Sequence, residues 1–213
     1  LVQKGTWTRI GGSSTFSSFY YAGNRYYLTV GALGGTPNNS NDNFFAWGYN
    51  VNGAVGDGTA TNVQSPTQPS TTTLYAHTTT STTSNNAATE TDVALPVNDI
   101  KKVWGVRGGQ AQTTGHFFLM DNKYRIWQGG HSQSEDYFQA TSNNAALANY
   151  RLDIGPWATT SSITTSHWAG KTEEQVVHMH GFGNTYGSEG HCVFMTTTGR
   201  IFGKRYNAQG QID

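Results

Sequence analysis

Apolar residues along this chain fall in short bursts between polar, glycine-rich stretches, and sustained amphipathic runs of helix formers are scarce. Two segments set the pattern, GHFFLMDNKYRIW (115–127) and GHCVFMTTTGRIF (190–202). Each is an apolar run, a short polar turn and a second apolar run, which predicts a β-hairpin. They align in register, with His116 over His191, Met120 over Met195, Arg125 over Arg200 and Ile126 over Ile201. Ahead of each lies an apolar stretch running into glycines, IKKVWGVRGG (100–109) and VVHMHGFGN (176–184), which supplies a leading strand.

A third, looser copy lies nearer the N-terminus. There WTRIGG (7–12) stands for the leading strand, RYYLTV (25–30) for the first hairpin arm and FFAWG (44–48) for the second, after an enlarged loop. The end of the unit recurs too. YNVNGAVGDG (49–58) is echoed by YNAQGQID (206–213), with Asn207 and Gly210 over Asn50 and Gly53. In the middle copy this ending is lost after Trp127. The expected architecture is all-β: a partial β-propeller-like array of about three antiparallel blades with long polar loop insertions. The units span about 7–69, 98–138 and 173–213, and the insertions 31–43, 70–97 and 139–172. Three blades do not close a ring, since propellers use about four or more. The chain is therefore expected to be part of a longer chain or of an assembly.

Composition agrees with short strands and tight turns. Aromatic residues make up 13% of the chain and 26 residues are glycine. Only 12% are charged and the formal net charge is zero, so no basic stripe is available to displace counterions from nucleic acid. No apolar run approaches a membrane span, and membrane insertion is not expected. The single cysteine, Cys192, excludes an intramolecular disulfide framework; within an apolar strand it reads as a small buried hydrophobe.

The stretch FAWGYNVNGAVGDGTATNVQSPTQP (45–69) resembles the regulator-of-chromosome-condensation repeat, an aromatic-small-Trp-Gly-x-Asn-x-x-Gly-Gln-Leu-Gly signature leading to a proline. Trp47, Gly48, Asn50, Gly53, Gly56, Gly58 and Pro66 fall on that pattern, with Ala54 and Val55 where the family has Gln-Leu. The last unit matches through Gly203, Asn207, Gly210, Gln211 and Ile212, with Lys204 and Arg205 as extra residues. The resemblance implies a propeller of four-stranded antiparallel blades, and it brings the family's founding activity, nucleotide exchange on a small GTPase, as an alternative function.

Physical chemistry gives the same residues structural roles. Trp47 is expected to fill the gap between neighbouring blades. Gly48 allows a close backbone approach, and Asn50 stabilises a turn through its side chain. Gly53, Gly56 and Gly58 supply positive φ, and Pro66 marks a linker or strand edge. A phosphate-cradling loop would need these glycines to open a helix, and the sequence offers none there.

Candidate chemistry is thin. His178 and His180 alternate along a leading strand and could face one side, but a zinc site needs further ligands. His116 and His191 recur at one repeat position, which points to a shared structural role. Glu135-Asp136 and Glu173-Glu174 read as solvated loop positions, and no G-x-S-x-G nucleophile motif is present. No catalytic residue, metal or cofactor is expected. Tyr137, Tyr150, Trp157 and Trp168 lie in or beside the insertion 139–172. They read first as cover for a blade's apolar edge, and otherwise as exposed rings that stack on sugars or anchor a protein. Low charge with Thr, Ser and Asn in abundance resembles the surfaces of secreted adhesins and virus fibres. The expected function is a non-enzymatic binding or assembly module on a virion or cell surface, as in a phage tail fibre. Its expected partners are neighbouring subunits in an oligomer, a host receptor or a glycan. A hydrolase on a propeller scaffold is a third possibility, to be recognised by clustered carboxylates or histidines.

Overall fold

Strands of β-branched and aromatic residues, each stopped by a glycine or polar turn, pair with their immediate neighbours in sequence. The protein is described here from a computed structural model, over residues 15–23, 28–34, 43–50, 53–70, 95–106, 116–122, 124, 126–129, 151–153, 175–182 and 191–205. Eleven strands are present among the described residues. Sheet 1 holds β1 (Ser18–Gly23), β2 (Leu28–Gly34), β3 (Asn43–Gly48) and β4 (Val63–Thr67). Sheet 2 holds β5 (Ile100–Val106), β6 (His116–Asp121), β7 (Ile126–Gln128) and β8 (Arg151–Asp153). Sheet 3 holds β9 (Val176–Phe182), β10 (His191–Thr196) and β11 (Ile201–Arg205).

Every pairing is antiparallel and every sheet is a simple meander. The first strands of the sheets neighbour one another, β1 against β5 and β5 against β9. The fold is thus all-β, a partial blade-like array in which the sheets stand side by side around their leading strands.

The repeat is visible in the register. In sheet 2 one row across the strands reads Val103–Leu119–Trp127 and the next Lys102–Met120–Ile126. In sheet 3 the matching rows read Met179–Phe194–Phe202 and His178–Met195–Ile201. The hairpin turns match as well. Tyr124 N–H donates to the Asp121 carbonyl at 3.0 Å, and Gly199 N–H donates to the Thr196 carbonyl at 2.9 Å. Tyr124 and Gly199 both hold positive φ, 61° and 79°. A G1-type bulge at the end of a hairpin turn requires that left-handed residue.

Two apolar cores lie between the sheets. Between sheets 1 and 2, Val103, Phe117, Leu119 and Trp127 pack with Ala22, Leu33, Phe44 and Ala46, joined by Leu95 and Val97. Phe44 and Phe117 meet edge to face at 5.8 Å and 69°. Their rings fit because Gly31 has no side chain; a Cβ there would lie 3.0 Å from carbons of both rings. Between sheets 2 and 3, Trp104, Val106, Phe118, Met120 and Ile126 pack with Val176, Met179 and Phe194. Sheet 2 is therefore apolar on both faces. Its leading strand also approaches β1 closely, since a Cβ on Gly105 would run into the Tyr21 carbonyl oxygen.

Several segments differ from the sequence reading. WTRIGG (7–12), expected as the first leading strand, lies outside the described residues, and the strand that leads sheet 1 is SFYYAG, Ser18–Gly23. Strand β2 continues through Gly34, four residues into the stretch expected as insertion. Strand β8 lies within the expected insertion 139–172; three residues paired to β7 carry too little pattern to stand out. Pro66 sits in β4, an edge strand of sheet 1, the setting in which a residue without an N–H is tolerated.

Candidate functional site

The repeat-motif loop is the best-ordered chemistry in the sequence, and its groups are turned on themselves. Asn50 is fully buried and acts as the hub. Its side-chain Oδ1 accepts from Val55 N–H at 2.8 Å, while Nδ2 donates to Asp57 Oδ1 and the Thr59 carbonyl, both at 3.1 Å. Its backbone N–H donates to Asn62 Oδ1 at 2.9 Å. Asp57 in turn accepts from Thr59 N–H at 2.9 Å. Gly53, Gly56 and Gly58 hold φ of 70°, 77° and 84°. The amide N–H groups of Gly53, Val55, Gly56 and Thr59 are donated within the loop. A loop that spends these donors on itself locks the end of β3 to the start of β4.

Gly48 has φ 111°, and a Cβ there would collide with the Leu28 carbonyl oxygen, so the close approach expected of it is present. Trp47 does not lie between two of the described sheets. It pairs in register with Val30, in a row that continues to Tyr21, on the side of sheet 1 away from sheet 2. Phe16 stacks on it at 5.6 Å and 27°, which leaves Trp47 buried. The residue that fills an inter-sheet gap is its repeat counterpart Trp127, fully buried between sheets 1 and 2. The Trp127 Nε1–H donates to Asp121 Oδ2 at 3.0 Å. Strand alternation sets the side on which each Trp lies, and the neighbouring sheet then decides what it fills.

His116 and His191 begin β6 and β10 at matching positions. Asn207 and Gly210 lie outside the described residues, as do Tyr137, Tyr150, Trp157 and Trp168. His178 and His180 do share one face, and both are exposed there. Among the described residues no group of three or more His, Cys, Asp or Glu is placed to hold a metal ion. No helix among them is long and apolar enough to cross a membrane.

What the structure adds is a pair of sheet faces that carry exposed apolar side chains, one at each end of the described array. On sheet 1 the face away from sheet 2 carries Phe19, Tyr21 and Leu28, all largely exposed, beside Val30, Phe45 and Trp47. On sheet 3 the face away from sheet 2 carries Val193, Met195 and Ile201, with His178 and His180 in the same rows. Large exposed apolar side chains gathered on one sheet face mark an interaction surface. Sequence reasoning missed these faces although it had the register. It lacked the knowledge of which sheet side had a neighbour.

No protein-family model matches the sequence, and no curated protein does. Among solved structures, the crystal structure of human WBSCR16 is similar at a TM-score of 0.45 and 12% sequence identity, over 93% of this chain and 37% of that one. The chain spans well under half the length of that protein.

Proposed function

We propose that the chain is a non-enzymatic binding and assembly module, built on repeats of the regulator-of-chromosome-condensation type, which works through the open faces of sheets 1 and 3. The observation that carries this reading is the exposure of Val193, Met195 and Ile201 on one sheet face, with Phe19, Tyr21 and Leu28 on another. Covering the exposed part of each side chain contributes a share of the about 1.5–3 kcal/mol that full burial releases, which favours a partner that covers a face. The repeat assignment is supported by the Asn50 hub and by the positive φ at the motif glycines. A virion or cell-surface setting, with a receptor or glycan as a further partner, is supported by composition: 12% charged residues and zero net charge.

The test is a binding panel on the wild type and on Phe19→Ser and Ile201→Ser, each checked for an unchanged melting midpoint. The panel comprises the chain itself as ligand, a glycan array and a nucleotide-exchange assay on small GTPases. Binding lost in either variant supports the reading. Binding equal in all three proteins overturns it, and exchange acceleration independent of both faces replaces it with the regulator reading.

A further inference from the structure

Sheet 2 shows what each open face is built to meet. Its row Lys102–Met120–Ile126 and the neighbouring Phe118 face sheet 3, and Met120, Ile126 and Phe118 are buried by it. The matching positions in sheet 3 are His178–Met195–Ile201 and Val193. These point the same way along the array, with no described sheet beyond them, and are exposed. On its other side sheet 2 presents Val103–Leu119–Trp127 to sheet 1. On the face of sheet 1 that points that way Phe19, Tyr21 and Leu28 are exposed, while Trp47, at the place of Trp127, is already covered by Phe16. The exposed side chains of these two end faces therefore stand on the two sides of a joint that the described sheets form twice.

We propose that the open face of sheet 3 docks on the open face of sheet 1 of a second copy of this chain, head to tail. The proposal rests on the binding-module reading and names its partner. Each face needs the opposite half, and a second copy carries both. The contact is heterologous, using unlike patches on the two copies, and it either closes into a ring or propagates. Two copies bring together six described sheets, three from each, within the range of about four to eight blades that closed propellers use. Neither row opposes burial with a carboxylate, Lys or Arg: one reads His178–Met195–Ile201, the other Tyr21–Val30–Trp47. His178 holds the place of Lys102, whose Nζ donates across the existing joint to the Val177 carbonyl at 2.5 Å. It thus brings an N–H donor to where the next joint uses one.

Sedimentation velocity over a concentration series tests this on the wild type, Phe19→Lys, Ile201→Lys and an equal mixture of the two variants. The wild type is expected to sediment at twice the monomer mass or more. Each variant alone has one dead half and is expected to be a monomer, its association weakened at least about a hundredfold by a lone charge on the contact. The mixture retains one live half of each kind and is expected to recover a heterodimer. A wild type that stays monomeric at the highest concentration overturns the proposal. So does a single variant that remains dimeric, which signals like-with-like contact, or a mixture that does not associate. Far-UV circular dichroism and melting of the dilute variants confirm that they fold. A monomeric wild type that still binds another member of the panel through its faces removes the second copy and leaves the module reading standing. A monomer with no face-dependent binding removes both.

Discussion

Sheets 2 and 3 carry the same hairpin, yet the same positions have opposite fates. Phe118, Met120 and Ile126 are 0%, 4% and 0% exposed, while Val193, Met195 and Ile201 are 37%, 40% and 69% exposed. Strand geometry is common to both, and among the described residues a sheet stands opposite these positions in sheet 2 and none in sheet 3. Burial here is a property of position in the array rather than of the repeat itself. Sheet 3 thus carries, at exposed positions, apolar side chains where sheet 2 buries its own.

The sharpest way to break the comparison is to place a carboxylate at each isoleucine. Ile126→Glu buries an unpaired charge at a cost of several kcal/mol, a large part of the whole stability of such a domain, and is expected to abolish cooperative folding. Ile201→Glu is expected to change stability in dilute solution by less than about 0.5 kcal/mol. Chemical denaturation followed by tryptophan fluorescence separates the two. Equal losses would mean that sheet 3's far face is already covered.

Next comes the approach between leading strands. Gly105→Ala sets a methyl group against the Tyr21 carbonyl, backbone that cannot swing away, and is expected to cost about 3 kcal/mol by forcing sheets 1 and 2 apart. A melting midpoint close to wild type would show that β1 and β5 separate freely.

The polar pair of sheet 2 has a counterpart in sheet 3, where Thr196 stands at the place of Asp121 and Phe202 at that of Trp127. Trp127→Phe removes a donor from the fully buried Asp121 and is expected to destabilise by about 2 kcal/mol. Adding Asp121→Thr reproduces the sheet 3 pair and is expected to restore part of that loss. A double-mutant cycle with no coupling would dismiss the Asp121–Trp127 bond as a stabilising contact.

Smaller effects come from the turns. Tyr124 holds φ 61° where sheet 3 uses Gly199, and Tyr124→Gly is expected to stabilise by about 1 kcal/mol through relief of left-handed strain. A loss of stability would show that the side chain's bond to Lys101 outweighs the strain. That bond, Lys101 Nζ to Tyr124 Oη at 2.6 Å, together with the ammonium charge, holds the phenol below its ordinary pKa. Because the folded value is depressed, the contribution to stability is present above the unfolded pKa, near 10, and is lost as pH falls through the folded value. Lys101→Met is expected to move one phenolate titration upward, read by ultraviolet absorbance against the wild type. An unchanged curve would remove Lys101 as its cause.

Much of the fold was legible where local pattern suffices. The hairpins at 115–127 and 190–202 became β6–β7 and β10–β11, and the stretches at 100–109 and 176–184 became β5 and β9. The glycines of the motif loop hold the positive φ expected of them. Strand β1 was not legible, because SFYYAG carries no counterpart aligned with the other units. Strand β8 was too short to read, with only three residues. The candidate interaction faces were half legible. The alignment of Met120 with Met195 and Ile126 with Ile201 was in the sequence, but their difference in exposure was not.

By itself the sequence determined most of the strands, the turns between them and the period-two alternation that groups Val193 with Met195 on one face and puts Phe194 in the alternate position. Those are local matters of backbone sterics and side-chain spacing. Only the tertiary structure decided that Trp127 fills a gap between sheets while Trp47 is covered by Phe16, and that β1, β5 and β9 lie side by side. Alternation assigns a residue to a side of its sheet. What stands on that side is set by packing between strands far apart in the chain, and no local pattern encodes it.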